Sequence, residues 1–532
     1  MSPMPANLKL LPGSLVRNGE LDSQARPSVD QLKAEARAHL DGMIALATDG
    51  VVQEKTFKSF EQSLIPLAFG LARIVIMLFL AAGEDREFAR TPERAERSGR
   101  TFRRRPAQAR NLSTFFGVVR YWRTYMRADS QGSDRTGFHP LDLALGLTTD
   151  RLSMHLLSLA TRLATTMSYA QAQAAIGWFL LSAPSTEVIE QAVLGLGSRT
   201  GEWFALCPAP EGDGDVLVTQ FDGKASPTAT DTELARRRGK RRKSKHPKSP
   251  RHRGRTNRAR NGSKPRRKKG DKSKNGRAAT VVVMYTLRRS GKLLLGPINK
   301  RVYASFGPKR HAFEIARREA DKRGFGKGSG KMHQIVTDGD DDLAANVKEY
   351  FPEAIHTIDV MHVIEYLWKA AGCLYREGSK ALCEWVDAQK DLLYAGKAAE
   401  IVEELRKRMS ALPKARKGRR ERLSKATEYI SKRQDKMNYA KLRALDLEIG
   451  SGAAEGAVKH VIAVRFDQGG MRWIRERAEA LLQLRCIEIN GDWDRFIEWV
   501  HEDMRAAATA SVRPKRLQQK TASSLPKLPE AA

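Results

Sequence analysis

The sequence is poor in cysteine: its 532 residues include only four, and no two of them form a Cys-x-x-Cys pair. This excludes the usual cysteine-based zinc motifs and a disulfide framework, and it favours a reducing cytoplasm. The first twenty residues contain no unbroken apolar run followed by a small-residue cleavage site, so no secretory signal is expected. Hydrophobic residues make up only 41%. A chain of this length and composition is expected to form several domains rather than one core.

Charge, in contrast, is abundant and mostly of one sign. The chain has 94 lysines and arginines against 61 acids, which gives a net charge of +33. The 42 residues from Arg236 to Arg277 hold 22 basic residues and one acid, Asp271, and so supply +21 of that charge. This stretch has too few large apolar residues to form a core and is expected to be disordered when free. Such a field attracts polyanions, so double-stranded DNA is the expected partner. The candidate DNA-binding residues at its start are Arg236, Arg237, Arg238, Lys240, Arg241 and Arg242.

One apolar run, from Leu64 to Gly83, is long enough to suggest a membrane span. Arg73 lies near its middle and Pro66 near its start. Because an arginine at the centre of a bilayer is costly, a buried helix, for example at a dimer interface, is the better interpretation. No membrane partner is expected.

The rest of the N-terminal half has a mostly helical pattern. A polar helix over Val29 to Leu46 precedes the apolar run, and Leu112 to Met126 is rich in aromatic and β-branched residues, which favours a small strand hairpin. Three helical runs follow between Asp150 and Leu196, and the second and third resemble a helix-turn-helix. An ordinary helical hairpin has the same pattern, and Glu187 and Glu190 on the candidate recognition helix would repel phosphate.

The second half begins with the pattern of a strand-rich core. Strands are predicted at Val216 to Gln220, Ala279 to Leu287, Val302 to Phe306, Gln334 to Thr337 and Ile355 to Ile358, with a helix at His311 to Lys322. Three strands, a helix and two further strands is the element order of an RNase H-like sheet. Asp222 and Asp338 are expected just after the first and fourth strands.

Helical periodicity dominates from Val360 onward. The apolar residues from Val360 to Arg443 recur with helical spacing. The part from Arg406 to Arg443 has 15 basic residues against three acids, which favours a helical insertion that contacts DNA. Further helices are predicted at Ile449 to Val464 and at Ile474 to Val500. A polar tail follows after about Ala507.

Three acids in this region have the distribution of a metal site: Asp222, Asp338 and Glu455. Magnesium prefers carboxylates, and phosphoryl transfer on DNA uses two such ions about 3.5–4 Å apart. Each acid alone is weak evidence, because an Asp-Gly pair at a strand end is typical of a turn.

The acidic run at 338–342 has a second interpretation, because its spacing matches an EF-hand calcium loop with Glu349 at the twelfth position. Leu343 replaces the glycine that this loop requires at position six, which argues against calcium. Asp340 to Asp342 are instead expected to cap the following helix.

Four blocks carry a resemblance to a known family: QFDGKASP at 220–227, IVTDGDDDL at 335–343, IDVMHVIEYLW at 358–368 and IGSGAAEGAVKHVIAVRFDQGGMRW at 449–473. They resemble the DDE transposases of bacterial insertion sequences, in particular the ISKra-type group. The resemblance spans roughly Phe57 to Glu498, including NGDWDRF at 490–496, and its last block is the most specific. The basic stretch at 236–277 is longer and more charged than this family pattern suggests.

The resemblance implies an α/β RNase H-like catalytic core with a helical insertion, preceded by a mostly α N-terminal region with a candidate helix-turn-helix. It also implies a cytoplasmic, nucleoid-associated enzyme that acts as a homo-oligomer on DNA with two Mg²⁺ ions, which Mn²⁺ can replace. The reaction would be cleavage at the ends of the element and joining of the 3′-hydroxyl to target DNA. An RNase H-like nuclease without strand transfer and a non-catalytic transposase-derived DNA-binding protein remain alternatives.

By resemblance, Asp222, Asp338 and Glu455 are the first, second and third acids, each both catalytic and a metal ligand. Glu448 competes for the third place, but it precedes the glycine turn, whereas Glu455 falls in the first turns of a helix and can lean back toward the sheet. The pair Asp359 and His362 resembles an Asp-x-x-His motif that supports the metal site or contacts the scissile phosphate. An N-cap aspartate followed by an ordinary histidine fits the same spacing.

The remaining candidate DNA contacts are Lys224, Lys459, Arg472 and Trp473. Arg472 can hold a phosphate, and Trp473 either stacks on an unpaired base or belongs to the core. The expected domains are an N-terminal helical region with a candidate hairpin (1–130), a helical DNA-binding region (131–212), the first part of the core with its basic loop at 236–277 (213–363), the insertion (364–445), the last core helices (446–506) and a disordered tail (507–532).

Overall fold

The computed structural model describes residues 16–17, 20–21, 26–52, 56–97, 99–129, 136–148, 150–180, 183–229, 276–413, 417–467 and 471–510. The chain divides into two compact units. The first comprises Met1–Arg199 with Asp492–Leu525, and the second comprises Thr200–Gly491 with Pro526–Ala532. Nearly all of the predicted basic loop and the tail beyond Ala510 lie outside the described residues.

The first unit combines helices with an antiparallel four-strand sheet of order β3-β4-β5-β6. The strands predicted at Leu112 to Met126 are part of a longer hairpin than expected, β4 and β5. The elements are β1 (Val16–Arg17), β2 (Glu20–Leu21), α1 (Val29–Val52), α2 (Phe57–Arg90), β3 (Arg94–Arg97), β4 (Arg100–Thr114), β5 (Gly117–Ala128), β6 (Gly137–Phe138), α3 (Pro140–Ala144), α4 (Met154–Thr166), α5 (Tyr169–Phe179), α6 (Thr186–Gly197) and a last helix at Trp493–Ala510.

The candidate helix-turn-helix corresponds to α5 and α6. Ser168 begins α5 with a capping box, and the hydroxyl of Ser185 accepts a hydrogen bond from the Val188 amide (3.3 Å) at the start of α6. Most of the second half of α6 is buried, from Ala192 to Gly197. The first turns of α6, at 186–191, are exposed or partly exposed except for Ile189. Because recognition helices contact bases with their N-terminal residues, this interpretation of α6 stays a prediction.

The second unit begins with a mixed five-strand sheet. Its first elements are α7 (Thr200–Leu206), β7 (Val216–Pro227), β8 (Gly276–Ser290), β9 (Leu293–Ser305), α8 (Lys309–Lys322), β10 (Met332–Thr337), α9 (Asp341–Tyr350) and β11 (Ile355–Ile358). The strand order is β11-β10-β7-β8-β9. Strands β7, β10 and β11 run parallel, whereas β7, β8 and β9 form antiparallel pairs.

Alternation along the strands gives this sheet two distinct faces. On one face Phe221 stacks on Phe313 of α8, with 4.0 Å between ring centroids, and His333 meets Thr219. On the other face lie Gln220 and Asp222 of β7, which alternate with Thr219 and Phe221. The apolar face anchors the sheet to α8, and the opposite face carries the polar groups.

The helices predicted from Val360 to Arg443 are present, and their status as an insertion into the core stays a prediction. They are α10 (Val360–Leu374), α11 (Lys380–Tyr394), α12 (Ala398–Ala411), α13 (Lys417–Ser431), a 3-10 turn (Gln434–Lys436) and α14 (Tyr439–Ala444). The chain then returns to the sheet through α15 (Gly452–Val458), a π-helical turn (Lys459–Ala463), α16 (Val464–Phe466) and α17 (Arg475–Ile489).

The prediction of a single helix from Ile474 to Val500 is wrong, because two helices occupy this region. Helix α17 ends at Ile489, and Gly491 takes a left-handed backbone conformation with φ 75°, which suits glycine after a helix end. The following helix, Trp493–Ala510, belongs to the first compact unit rather than to the core domain expected at 446–506.

Candidate metal centre

Three acids emerge from neighbouring parallel strands. Asp222 lies on β7, Asp338 follows the last residue of β10, and Asp359 follows the last residue of β11. Because parallel strands bring their carboxyl ends to one edge of a sheet, Asp338 and Asp359 share that edge, which is where ligands bind in open α/β sheets. Gln220 pairs with Val336, so Asp222, two residues further on, lies level with Asp338. The fold therefore collects carboxylates at one place.

Asp222 departs from the sequence prediction. It was expected just beyond a strand, but β7 continues to Pro227, and Asp222 lies inside it opposite Val281 of β8. Its carboxylate accepts a hydrogen bond from the Gly223 amide (2.6 Å). The pKa of Asp222 is raised, first by burial and further by the charges of Asp338 and Glu455, although the Gly223 amide and His362 oppose this. These couplings place Asp222 in one electrostatic neighbourhood with the other predicted acids.

Asp338 is held by the acidic loop and by the insertion. Its carboxylate accepts a hydrogen bond from the Asp340 amide (2.9 Å), and its carbonyl oxygen accepts one from the Tyr429 hydroxyl of α13 (2.6 Å). Gly339 has φ 83°, and a Cβ there would lie 2.5 Å from the Tyr429 hydroxyl oxygen, so glycine is required. An insertion helix thus fixes the loop that carries the second acid.

The prediction that the acidic run caps the next helix is confirmed for Asp340. Its side chain accepts hydrogen bonds from the amides of Asp342 (2.9 Å) and Leu343 (3.2 Å) at the start of α9. Lys309 pairs with the same carboxylate at 2.6 Å. Asp340 is therefore occupied by a structural role, and Asp338 remains the acid of this run that is coupled to Asp222.

For Asp359, the predicted helix cap is confirmed, and its role at the metal site stays a prediction. It caps α10 by accepting a hydrogen bond from the Met361 amide (2.8 Å), and its other oxygen meets the His362 ring at 3.0 Å and accepts a hydrogen bond from the Ser451 hydroxyl. Burial would raise the pKa of Asp359, but these hydrogen bonds outweigh it and lower the pKa. The hydrogen bond to Asp359 in turn raises the pKa of His362.

Glu455 lies in the first turn of α15 and joins this pair. Asp359, His362 and Glu455 each offer a ligand atom, and these atoms all lie within 4.8 Å of one another. The structure also describes Asp222, Asp338 and Glu455, but their ligand atoms do not all lie within 4.8 Å of one another. Carboxylates on two different ions can be roughly 8 Å apart, given metal–oxygen distances of about 2.1 Å and a metal–metal distance of about 4 Å. A site shared by all three predicted acids would therefore take two ions rather than one.

Two buried glutamines that the sequence interpretation overlooked hold the third acid against the sheet. Gln220 accepts a hydrogen bond from the Ala454 amide (3.0 Å) and donates to the Gly450 carbonyl (3.4 Å). Gln334 donates to the carbonyl of Glu448 (2.6 Å) and accepts from its amide (3.1 Å). We call these two side chains the glutamine clamp. It fixes both ends of the segment that leads into α15.

Glu448, the alternative candidate for the third acid, binds a side chain outside the predicted metal site. Its carboxylate accepts a hydrogen bond from the Tyr285 hydroxyl (3.0 Å), and that hydroxyl also accepts one from Gln220 (3.1 Å). The ligand atom of Glu455, in contrast, lies within 4.8 Å of those of Asp359 and His362, whereas Glu448 belongs to no such group among the described residues. This favours Glu455.

The candidate DNA contacts lie in different environments. Lys459 and Arg472 are exposed. Lys224 forms an ion pair with Asp467 at 2.8 Å. Trp473 is only 8% exposed, and its indole N–H donates to the Phe466 carbonyl at 3.2 Å, so its burial argues against base stacking. Residues 236 to 242 lie outside the described part.

No protein-family model matches the chain, and a search of curated proteins found no match. The functional inference therefore rests on the arrangement of the carboxylates and on the motif resemblance.

Proposed function

We propose that the chain is a metal-dependent DNA transposase with an RNase H-like core. The observation that carries the proposal is the position of Asp222, Asp338 and Asp359 on neighbouring parallel strands, with Glu455 offering a ligand atom within 4.8 Å of those of Asp359 and His362. The strand order β9-β8-β7-β10-β11, with the first three strands antiparallel and the last two parallel to β7, supports the RNase H-like assignment. The proposed partner is DNA. The protein would bind element ends and target as a homo-oligomer, in the cytoplasm at the nucleoid.

The donor set fits magnesium. Carboxylate oxygens are the ligands that this hard cation prefers. Burial raises the pKa of Asp222, and a dication would relieve the further rise that the charges of Asp338 and Glu455 cause. Asp222, Asp338 and Glu455 would hold two Mg²⁺ or Mn²⁺ ions, which would stabilise the attacking and leaving oxygens of an in-line displacement. Asp359 acts through its neighbours: it orients His362 and binds the Ser451 hydroxyl at the start of α15.

The test of the proposal is a joining reaction. The inverted repeats expected to flank the gene, inside short direct duplications, supply the end-containing duplex, and a supercoiled plasmid supplies the target. With Mg²⁺ or Mn²⁺ we expect cleavage at the repeat and covalent transfer of its 3′-hydroxyl to the plasmid. Cleavage without joined product would instead identify an RNase H-like nuclease. No cleavage at any metal concentration would identify a DNA-binding protein without catalysis.

A first prediction concerns the basic stretch at 236–277. Lysines and arginines without fixed geometry meet phosphates rather than base edges, and each contact contributes roughly −0.9 to the slope of log affinity against log salt concentration. Engaging a third of its 22 basic residues would contribute about −6 to the slope. Deleting the stretch should flatten the slope in a salt titration on end-containing and random duplexes, and preference for ends should survive. Lost preference with an unchanged slope would contradict this role.

A second prediction concerns the glutamine clamp. Gln220→Leu removes the hydrogen bonds to Gly450 and Ala454 but no metal ligand, so it should raise the Mg²⁺ concentration for half-maximal cleavage by about 10–100-fold, as loss of groups that orient ligands does. The matched control is Gln389→Leu, since Gln389 is also a buried glutamine but lies in α11 of the insertion. Equal effects of both substitutions would show a general loss of stability rather than loss of positioning.

A further inference from the structure

Helix α2 has an apolar stripe that the described part of the chain leaves uncovered. Ile65, Val75 and Phe79 are 47%, 50% and 62% exposed. The stripe recurs at alternating spacings of three and four residues, which is the seven-residue period of a helix that packs along its length on another helix. Its members are Glu61, Ile65, Ala68, Ala72, Val75, Phe79, Ala82 and Arg86, and all are exposed except Ala72, which is partly exposed. We call it the α2 seam.

The opposite side of α2 already has a protein partner. Buried Glu84 accepts hydrogen bonds from the amide (2.7 Å) and hydroxyl (2.6 Å) of Thr124 on β5, and Leu80 packs in a core cluster with residues of β4 and β5. Burial lowers the pKa of Arg73, whose side chain lies close to Gly117. By length and composition α2 is also apolar enough to cross a membrane. A helix bonded to a sheet through a buried carboxylate cannot have lipid all around it.

The seam is complementary to itself when two copies run antiparallel. If the two-fold axis passes between Arg73 and Ile74, Ile65 lies opposite the Ala82 of the second copy. In the same register Ala68 meets Phe79, and Ala72 meets Val75. Each of these apolar layers then pairs a larger side chain with an alanine, as close packing requires.

The charged ends of the seam agree with this register. Glu61 at one end would face Arg86 of the second copy at the other end, twice by symmetry. A parallel register would place Glu61 against Glu61 and Phe79 against Phe79, which repels charge at one layer and leaves mismatched volumes at the others. Antiparallel pairing is thus favoured by both charge and shape.

We propose that two copies of this chain associate through antiparallel α2 seams about a two-fold axis. Each contact occurs twice, as in any such symmetric interface. The association needs neither the metal centre nor DNA, so it goes beyond the homo-oligomer proposed on element ends and does not depend on it. The partner that covers the seam is a second copy of the chain.

The first experiment measures mass in solution on the full chain, nuclease-treated and at high salt so that DNA cannot bridge copies. The native protein should have twice the mass of one chain, and Val75→Glu should raise the dimer dissociation constant at least about 100-fold, because it buries an unpaired charge in the seam. The matched control is Phe88→Glu. Phe88 is an exposed aromatic on the same helix, 47% exposed, but it lies outside the seam with Arg104 over its ring. Phe88→Glu should remain dimeric.

The second experiment tests direction by disulfide trapping, with the exposed Cys383 and partly exposed Cys207 replaced by serine. Ile65→Cys and Ala82→Cys are made separately. An equal mixture should form a crosslinked dimer, whereas each variant alone should not, because residues 65 of the two copies would be about 25 Å apart along the helices. This readout holds even if Val75→Glu fails to fold.

Three results would overturn the proposal: a monomer at all concentrations, crosslinking of either single variant with itself, or a dimer that Val75→Glu leaves intact. Binding of the monomeric native protein to neutral lipid vesicles, abolished by Val75→Glu, would also overturn it and would assign the seam to a membrane surface.

Discussion

Replacing Asp222, Asp338 or Glu455 with alanine, one at a time, is expected to slow cleavage of an element end at least about 1000-fold, or about 4 kcal/mol of activation free energy. Each substitution removes a ligand from a site whose function depends on holding two dications in place. None of them removes a phosphate contact, so affinity for the same duplex without metal should stay within about twofold. Single-turnover cleavage and a binding titration measure the two quantities separately.

Matched controls come from the same neighbourhood. Asp342 is 79% exposed and pairs with Lys309 at 3.4 Å, so Asp342→Asn alters an acid of the same loop without touching the site. It should retain near-native cleavage. Glu448→Ala removes the carboxylate that Tyr285 binds and should lower the rate far less than Glu455→Ala. A Glu455→Ala protein that still cuts, together with an inactive Glu448→Ala protein, would transfer the third place to Glu448.

The strands that carry the acids were predictable because their apolar runs are short and their ends are polar. The run from Ile355 to Ile358 corresponds to β11 at both ends, and Asp359 begins the next helix. The interior position of Asp222 was not predictable, since what extends β7 to Pro227 is its pairing with β8, whose partner residues lie 49 to 61 positions away in the chain. A local pattern contains no information on that partner.

The residues that support the site could not be predicted for the same reason. In the sequence, Gln220 and Gln334 look like ordinary polar strand residues, and only their hydrogen bonds to residues 448–454 show that they hold the segment leading into α15. Tyr429 reaches Asp338 across 91 positions of sequence. One signal was available: a glutamine inside a buried strand needs a hydrogen-bonding partner, and its presence in two neighbouring strands indicates a polar segment packed on that face.

The second large effect concerns stability in mild acid, through His333 on β10 and His356 on β11. Burial lowers the pKa of His333 to about 3 and that of His356 to about 4, from an ordinary value of 6.5. As the pH falls, these two histidines therefore bind protons at a higher pH in the unfolded chain than in the folded chain. The stabilisation is complete above pH 6.5 and is lost as the pH falls toward the folded values. At pH 5, which is 1.5 units below 6.5, each of these histidines should lower the free energy of unfolding by about 2 kcal/mol.

The test removes one histidine together with its partner. The ring of His333 meets the Thr219 hydroxyl at 2.9 Å, and Thr219→Val with His333→Leu replaces both polar groups by apolar ones, which is close to neutral for stability at pH 7.5. Hydrogen exchange of β7 and β10 amides in increasing urea gives the local free energy of unfolding. This readout is needed because burial also lowers the pKa of His139, in the first unit, to about 4. Between pH 7.5 and pH 5 the free energy of unfolding of the double variant should fall by about 2 kcal/mol less than that of the native protein. His460→Gln, at an exposed histidine, is the control and should behave as the native protein does. If the double variant lost as much as the native protein, His333 would be protonated in the folded chain, and burial in the sheet would not be what makes the second unit sensitive to acid.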